Sequence, residues 1–428
     1  MSLALFQGFG VELEHMIVDR RSLDVLPIAD RLLHAGAAAL AGAAANAGSM
    51  PAPAVGPVSD LDLRETGITW SNELVLHLIE LKTTTPAPTL AGLAARFEDS
   101  VRRIDALLEP LGARLMPSAM HPWMDPIREM RLWPHDNAPI YAAFDRIFGC
   151  RGHGWANLQS VHLNLPFTGD DQFGRLHAAI RLLLPILPAL AASSPVMDGR
   201  LTGVADNRLA VYRTNARRVP SVSGRVIPEP VFTRGHYEVQ ILDRIYRDLA
   251  PLDPEGILRD EWVNARGAIA RFVRDSIEIR VLDVQECPIA DLAICAAIVA
   301  VLMDLVDERW SSLGQQQSWP VEPLERHLVA TLHHAERAVI DDAAYLAAFG
   351  FKAPRASAAD LWRHLNESSV MPRALAPETA GAMSIILSDG SLSTRLARAL
   401  GPAPTHADLH RVYGELCGCL EGGRLFRA

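Results

Sequence analysis

Apolar and polar residues alternate along residues 10–18, GVELEHMIV. Val11, Leu13 and Ile17 share one parity, and Glu12 and Glu14 share the other. A period of two predicts a strand with one apolar and one polar face. Residues 159–166, QSVHLNLP, repeat the pattern, with Val161, Leu163 and Leu165 opposing Ser160, His162 and Asn164. Residues 276–284, SIEIRVLDV, do so again, with Ile277, Ile279 and Val281 against Glu278 and Arg280. A further strand region is predicted over residues 68–83, ITWSNELVLHLIELKT. It carries Glu73 and Glu80, whose spacing has the wrong parity for one face of a regular strand. Either Glu73 sits on a preceding turn or a bulge intervenes.

Helical spacing dominates elsewhere. Leu90, Leu93, Phe97, Val101, Ile104 and Leu108 recur at intervals that predict an amphipathic helix over 89–112. The Ala- and Leu-rich segment from Ile28 to Ala47 predicts another, ending in the Gly/Pro loop GSMPAPAVGP. A long apolar helix is expected from Gln172 to Ser193. Residues 116–156, rich in Trp, Pro and His, predict long ordered loops with short helices, a composition that tends to be functional in a compact protein. Residues 194–235, rich in Arg, Gly and Pro, predict an extended loop region. From Ala290 onward the chain reads as mainly helical. Its most apolar run, Leu292–Met303 between Asp291 and Asp304, is too short to cross a bilayer and reads as a buried helix.

No internal repeat is visible. Strands scattered irregularly among long helices favour an α+β fold with an antiparallel or mixed sheet over a doubly wound one. The expected division is 1–315 and a mainly helical 316–428, packed on the same domain.

Composition narrows the function classes. Hydrophobic residues make up 49% and charged residues 21%, as in ordinary globular proteins. A net charge of −9 argues against a nucleic-acid binder, though local arginines can still hold an anion. No secretory signal is read at the N-terminus. The cysteines, Cys150, Cys287, Cys295, Cys417 and Cys419, form no disulfide framework or zinc spacing, and Cys417 and Cys419 read as tail thiols. A cytoplasmic protein without nucleic-acid or membrane partners is expected, and its size suits a symmetric homodimer.

Candidate chemistry lies on the polar strand faces. Glu12/Glu14, His162/Asn164 and Glu278/Arg280 each place two polar groups at i and i+2, which point the same way. Neighbouring strands would converge them on one sheet face. Hard divalent cations such as Mg²⁺ or Mn²⁺ take oxygen ligands, and one imidazole among them is tolerated. Arg280 beside Glu278 would set a phosphate-binding guanidinium next to a metal ligand. The competing reading is an antiparallel sheet with one wet face, which alternates in the same way. Arg200, Arg208, Arg213, Arg217, Arg218 and Arg225 read equally as a solvated loop or as a clamp for carboxylate and phosphate. The GFG at Gly8–Gly10 is no nucleotide fingerprint, because a strand follows it. His333 and His334 read as exposed helix residues, and His77 as a core histidine. Ser193 and Ser194 lack the context of a hydrolase nucleophile.

GVELE, ELVLHLIELKT, MHPW at Met120–Trp123, SVHLNLPF, SSPVMDGRLTG followed by Arg208, and SIEIRVLD follow one another in an order that resembles the glutamate–cysteine ligase type 2, or carboxylate–amine ligase, family. The resemblance covers roughly residues 8–305. It implies a glutamine-synthetase-like fold, an antiparallel sheet funnel backed by helices. It implies Glu14, Glu73 and Glu80 as ligands of one divalent metal and Glu12, His162 and Glu278 as ligands of a second. The family's strands show the same offset between Glu73 and Glu80. Arg280 and Arg208 would act on transferred phosphate; Asn164 and Arg217 would contact nucleotide or substrate. The implied reaction joins a carboxylate, glutamate in the family, to an amine such as cysteine, with ATP and Mg²⁺ or Mn²⁺, through an acyl phosphate. The segments MHPWMDP and CRGHGWANLQS are more elaborate than in many relatives, which points to a differently shaped substrate pocket. A metal-dependent amide hydrolase and a non-catalytic nucleotide-binding regulator are the alternatives that the residues leave open.

Overall fold

A computed structural model describes residues 3–46, 58–63, 65–370 and 376–428. The loop expected over 48–57 lies outside the described residues. The strands are β1 (Gly10–Asp19), β2 (Asp60–Leu63), β3 (Ile68–Asn72), β4 (Leu78–Thr83), β5 (Ala113–Met116), β6 (Ser160–Pro166), the two-residue pair β7 (Val196–Met197) and β8 (Arg200–Leu201), β9 (Ala268–Arg271) and β10 (Ser276–Asp283). Eight of them form one antiparallel sheet in the order β2-β3-β4-β1-β6-β10-β9, with β5 paired to the far end of β1. The α+β class with an antiparallel sheet is thus what the alternation predicted.

The helices that build and flank the sheet are α1 (Ala29–Asn46), α2 (Leu93–Leu108), α3 (Pro126–Glu129), α4 (Ala138–Phe148), α5 (His153–Ala156), α6 (Gly169–Leu183), α7 (Pro188–Ala191), α8 (Asn207–Asn215), α9 (Arg234–Tyr237), α10 (Asp243–Leu249) and α11 (Pro288–Val306). Val11, Leu13, Leu81, Leu163, Leu165, Ile277 and Ile279 share one apolar cluster with Leu33, Phe97, Ile180 and Ile298 of α1, α2, α6 and α11. One sheet face is therefore committed to the core, and the other is free to carry polar groups.

Several boundaries differ from expectation. The strand region 68–83 is two strands, β3 and β4, so Glu73 lies in their connection. The helix expected over 172–193 stops at Leu183, because Pro185 and Pro188 remove backbone donors and crowd the preceding turn. The Arg-rich segment 194–235 is not wholly extended. Asp206 caps α8 by accepting from the Leu209 amide. Strands β2 and β9 had no counterpart in the sequence reading. Helix α11 runs for 19 residues, longer than its apolar core suggested, because Asp291 and Asp304 lie inside it. It has the length and composition to cross a bilayer, yet 83% of its apolar window is buried in the protein. Cys417 and Cys419 are not loose tail thiols; both are buried in helix 406–422.

That helix packs on β5 and α2. In α2, the Asp105 carboxylate accepts from the Leu115 amide of β5 at 2.9 Å, while its other oxygen is buried without a partner. Burial pushes the Asp105 carboxyl up to about 6. The folded state then holds a proton that the unfolded chain has released, so stability falls as pH rises from about 4 to about 6. Asp105→Asn keeps an acceptor for Leu115 and has no proton to lose. Urea unfolding at pH 4 and pH 6 should show a smaller loss for the variant than for the wild type, by on the order of 2 kcal/mol. Equal losses would mean that this carboxyl titrates normally.

Candidate functional site

The polar sheet face is assembled by register. Antiparallel partners that sit opposite each other point to the same side. Glu12 is opposite Lys82 and His162, Glu14 is opposite Glu80, Ser71 is opposite Glu80, and Asn164 is opposite both Gly10 and Glu278. A row of polar side chains therefore crosses β3, β4, β1, β6 and β10. Gly10 is required by this row. A Cβ there would lie 2.8 Å from the Cβ of Asn164.

Side-chain contacts follow the register. Glu12 accepts from Asn164 at 3.1 Å and pairs with His162 Nδ1 at 2.8 Å. His162 also lies 3.8 Å from Glu278 and 3.9 Å from Glu14. Glu14 accepts from the Ser160 amide at 2.7 Å and its hydroxyl at 2.9 Å. Glu80 accepts from Ser71 at 2.6 Å and Lys82 at 2.9 Å. Glu278 is held by Arg280 at 2.6 Å and Arg271 at 3.2 Å.

Burial and charge oppose each other here. Burial alone would raise the Glu12 carboxyl, but the His162 hydrogen bond and charge, with Lys82, hold it at about 2. Burial alone would lower His162, but Glu12, Glu14 and Glu278 raise it to about 9. Burial pushes Glu80 up to about 7; the Glu12 charge adds to this and Lys82 opposes it. Glu73 is raised well above the carboxylate range by burial, then by the charges of Glu80 and Glu14. Glu278 ends below its ordinary value, because Arg280 chiefly outweighs the burial that would raise it.

These residues fit divalent cations. Among the described residues, Glu12, His162 and Glu278 each offer a ligand atom, all within 4.8 Å of one another. Carboxylate oxygens with one imidazole suit Mg²⁺ or Mn²⁺. Glu14, Glu73 and Glu80 are less closely drawn together, but burial, and then repulsion from Glu80 and Glu14, already suppress ionisation of Glu73. A cation would relieve that repulsion.

A cleft of about 430 Å³ opens over this face. Glu14, Glu73, Ser160, His162, Arg208 and Arg280 supply polar groups to its lining. Tyr141 and Phe144 of α4, Trp155 of α5 and Trp262 supply aromatic rings. The W-rich segment thus shapes the cleft. The arginine run does not converge on it. Arg208 enters the cleft, anchored by Asp283 at 2.5 Å. Arg213 and Arg225 pair with Glu325, and Arg218 holds carbonyls at the end of α4. Arg217, expected at the nucleotide or substrate, is exposed beyond α8 and does not line the cleft. His77 is buried with Nε2 at 2.8 Å from the Ala156 carbonyl, His333 and His334 are exposed, and Ser193 and Ser194 bond Asp283.

Sequence reasoning missed Lys82, Ser71, Arg271, Tyr212 and Asp283. Lys82 was findable, being two residues from Glu80. Asp283 was not, because its parity is wrong until a bulge is known. The register between β10 and β6 shifts between Ile279 and Leu282. That shift sets Asp283 opposite Ser160 on the polar face and sends Leu282 into the core.

Comparison with known proteins agrees with this geometry. Residues 8–411 match glutamate-cysteine ligase family 2. An uncharacterized protein of Archaeoglobus fulgidus is 34% identical over 300 residues, covering 65% of this chain and 80% of its own length. A Corynebacterium efficiens protein, provisionally named glutamate–cysteine ligase 2-1, is 24% identical over 323 residues, covering 73% of this chain and 71% of its own. Among solved structures, the glutamate–cysteine ligase of Francisella tularensis in complex with AMP superposes with a TM-score of 0.58 at 10% identity, covering 99% of this chain and 90% of that one. The bifunctional glutathione synthetase of Pasteurella multocida gives 0.54 at 13% identity, covering 98% of this chain and 52% of that one. At such identities the structures testify to the fold alone, while the family match runs through nearly the whole chain. The chain belongs to glutamate-cysteine ligase family 2, a family of ATP-dependent carbon–nitrogen ligases.

Proposed function

We propose that this chain joins the side-chain carboxylate of glutamate, or a close analogue, to an amine in the cytoplasm; the family name offers cysteine as the first acceptor to test. The observation that supports it is the row of Glu12, Glu14, Glu80, His162 and Glu278 beneath a cleft into which Arg208 and Arg280 project. We place the machinery within 1–315. Helices beyond it share the apolar core.

In this reading the γ-phosphoryl group of ATP passes to a carboxylate oxygen as its bond to ADP breaks. The amine nitrogen then bonds to the acyl carbon, phosphate leaves with the electron pair, and the nitrogen loses a proton. Mg²⁺ or Mn²⁺, held by Glu12, His162 and Glu278 and by Glu14, Glu73 and Glu80, would supply charge neutralisation at phosphate oxygens. The protein's own part is positioning and electrostatics. Arg280 presents a guanidinium already oriented by Glu278. Arg208 is fixed from behind by Asp283, and its Nη2 donates to the Arg280 carbonyl at 3.2 Å, which ties the two arginines together. Asn164 steers the Glu12 carboxylate. His162 must release its proton before it can ligate, which couples cation binding to pH.

Two outcomes are expected. Glu12→Gln should raise the Mg²⁺ concentration for half-maximal, ATP-dependent phosphate release by at least about 10–100-fold, with the circular dichroism spectrum kept. An unchanged Mg²⁺ dependence would remove Glu12 from the ligand set. Asp283→Asn should lower kcat by about tenfold or more through Arg208, so the variant carrying Arg208→Met as well should be no slower than Arg208→Met alone. Fully additive losses would mean that Asp283 does not act through Arg208.

A further inference from the structure

The lining of the cleft has few cations: His162, Arg208 and Arg280. Each is already engaged, His162 by Glu12, Arg208 by Asp283 and Arg280 by Glu278. The lining also presents Ile140, Tyr141, Phe144, Trp155 and Trp262, with the uncharged Asn137 and Asn215. Phe144 stands 5.2 Å from Trp155 and 5.7 Å from Trp262, ring centre to ring centre, so the three half-buried rings form one surface.

A substrate carboxylate packed against those rings would lose hydration, and each cation of the lining is already paired with an acid. Such an unpaired charge is strongly disfavoured. An aryl or alkyl body would instead remove apolar surface from water and meet ring edges and faces suited to stacking. Resting on the ligase reading above, we infer that the acceptor is a primary amine with an apolar, preferably aromatic, body and no carboxylate, rather than cysteine or another amino acid. Its nitrogen would bond to the acyl carbon, phosphate would leave with the electron pair, and one proton would be released. ATP supplies the phosphoryl group.

The test uses the full chain with Mg²⁺, ATP and glutamate. The acceptors are phenethylamine, phenylalanine, cysteine and methylamine. Phosphate release and the amide mass are both recorded. Phenethylamine should exceed phenylalanine and cysteine in kcat/KM by at least about tenfold, and Trp155→Ala should erase most of its advantage over methylamine. A preference for cysteine or phenylalanine overturns the inference. So does equal use of methylamine and phenethylamine by the wild type, which would give the aromatic wall to another ligand such as the adenine base. Binding of phenethylamine to the enzyme is measured in parallel by calorimetry. Saturable binding with no phosphate release for any acceptor would keep the amine site and sink the ligase reading. Neither binding nor turnover with phenethylamine, alongside turnover of another acceptor, would sink the amine site and keep the ligase.

Discussion

Like charges set side by side on one sheet face are the constraint around which this structure is organised. Two carboxylates on paired strands lie about 5 Å apart, and at an effective dielectric of about 20 they repel by roughly 3 kcal/mol. Glu80, opposite Glu14 in the register, is raised by burial and then by the Glu12 charge. A single buried Leu or Ile contributes a comparable amount, about 1.5–3 kcal/mol. The reverse face of the same strands is therefore not incidental. Val11, Leu13, Leu81, Leu163, Leu165, Ile277 and Ile279 hold the strands in register while their polar neighbours repel. Slipping β1 by one residue would turn the acids into the core and the aliphatics into the cleft, so the register is strongly specified. Lys82, Arg271 and Arg280 offset part of the repulsion, and a raised carboxyl at Glu73 and Glu80 absorbs more.

The part of the site legible in the sequence is the part governed by period-two alternation. Glu12, Glu14, His162, Asn164 and Glu278 all sit on regular stretches of strand, where parity alone decides the face, and Arg280 lies where the β10 bulge begins. Alternation failed where the backbone departs from it. Glu73 and Glu80 could not be reconciled on one strand because the chain turns between them, and Glu73 belongs to the connection after β3. Asp283 was invisible because one extra residue in β10 reverses its parity. The sequence had offered Glu73 on a turn or beside a bulge, the resemblance gave it a ligand role, and the connection after β3 is that turn.

Residues 194–235 show a different limit. Composition marked the segment as irregular, and its arginines as a group. Folding separates them, because each guanidinium takes the nearest acid or carbonyl. Glu325 draws Arg213 and Arg225 away, and the end of α4 takes Arg218. Arg208 alone of that run lines the cleft, since the cap at Asp206 starts a helix whose first turn faces Asp283. Charge counts along a loop say little about convergence unless the partners are known.

The segment just after β10 links the cleft to the chain's far end. Asp283 holds Arg208, Ser193 and Ser194. Two residues on, the Gln285 side chain donates to the Ala191 carbonyl at 2.7 Å, and its backbone amide donates to the Asp291 carboxylate at 2.7 Å. The next residue, Glu286, forms a fully buried ion pair with Arg395, whose Nη1 also donates to the Phe426 carbonyl at 2.7 Å. Breaking such a pair leaves a buried charge unmatched, which costs far more than losing an exposed one. The C-terminal helices, where resemblance to the family was thinnest, are thus fastened three residues from the anchor of Arg208. They thereby brace the strand end whose Asp283 anchors Arg208.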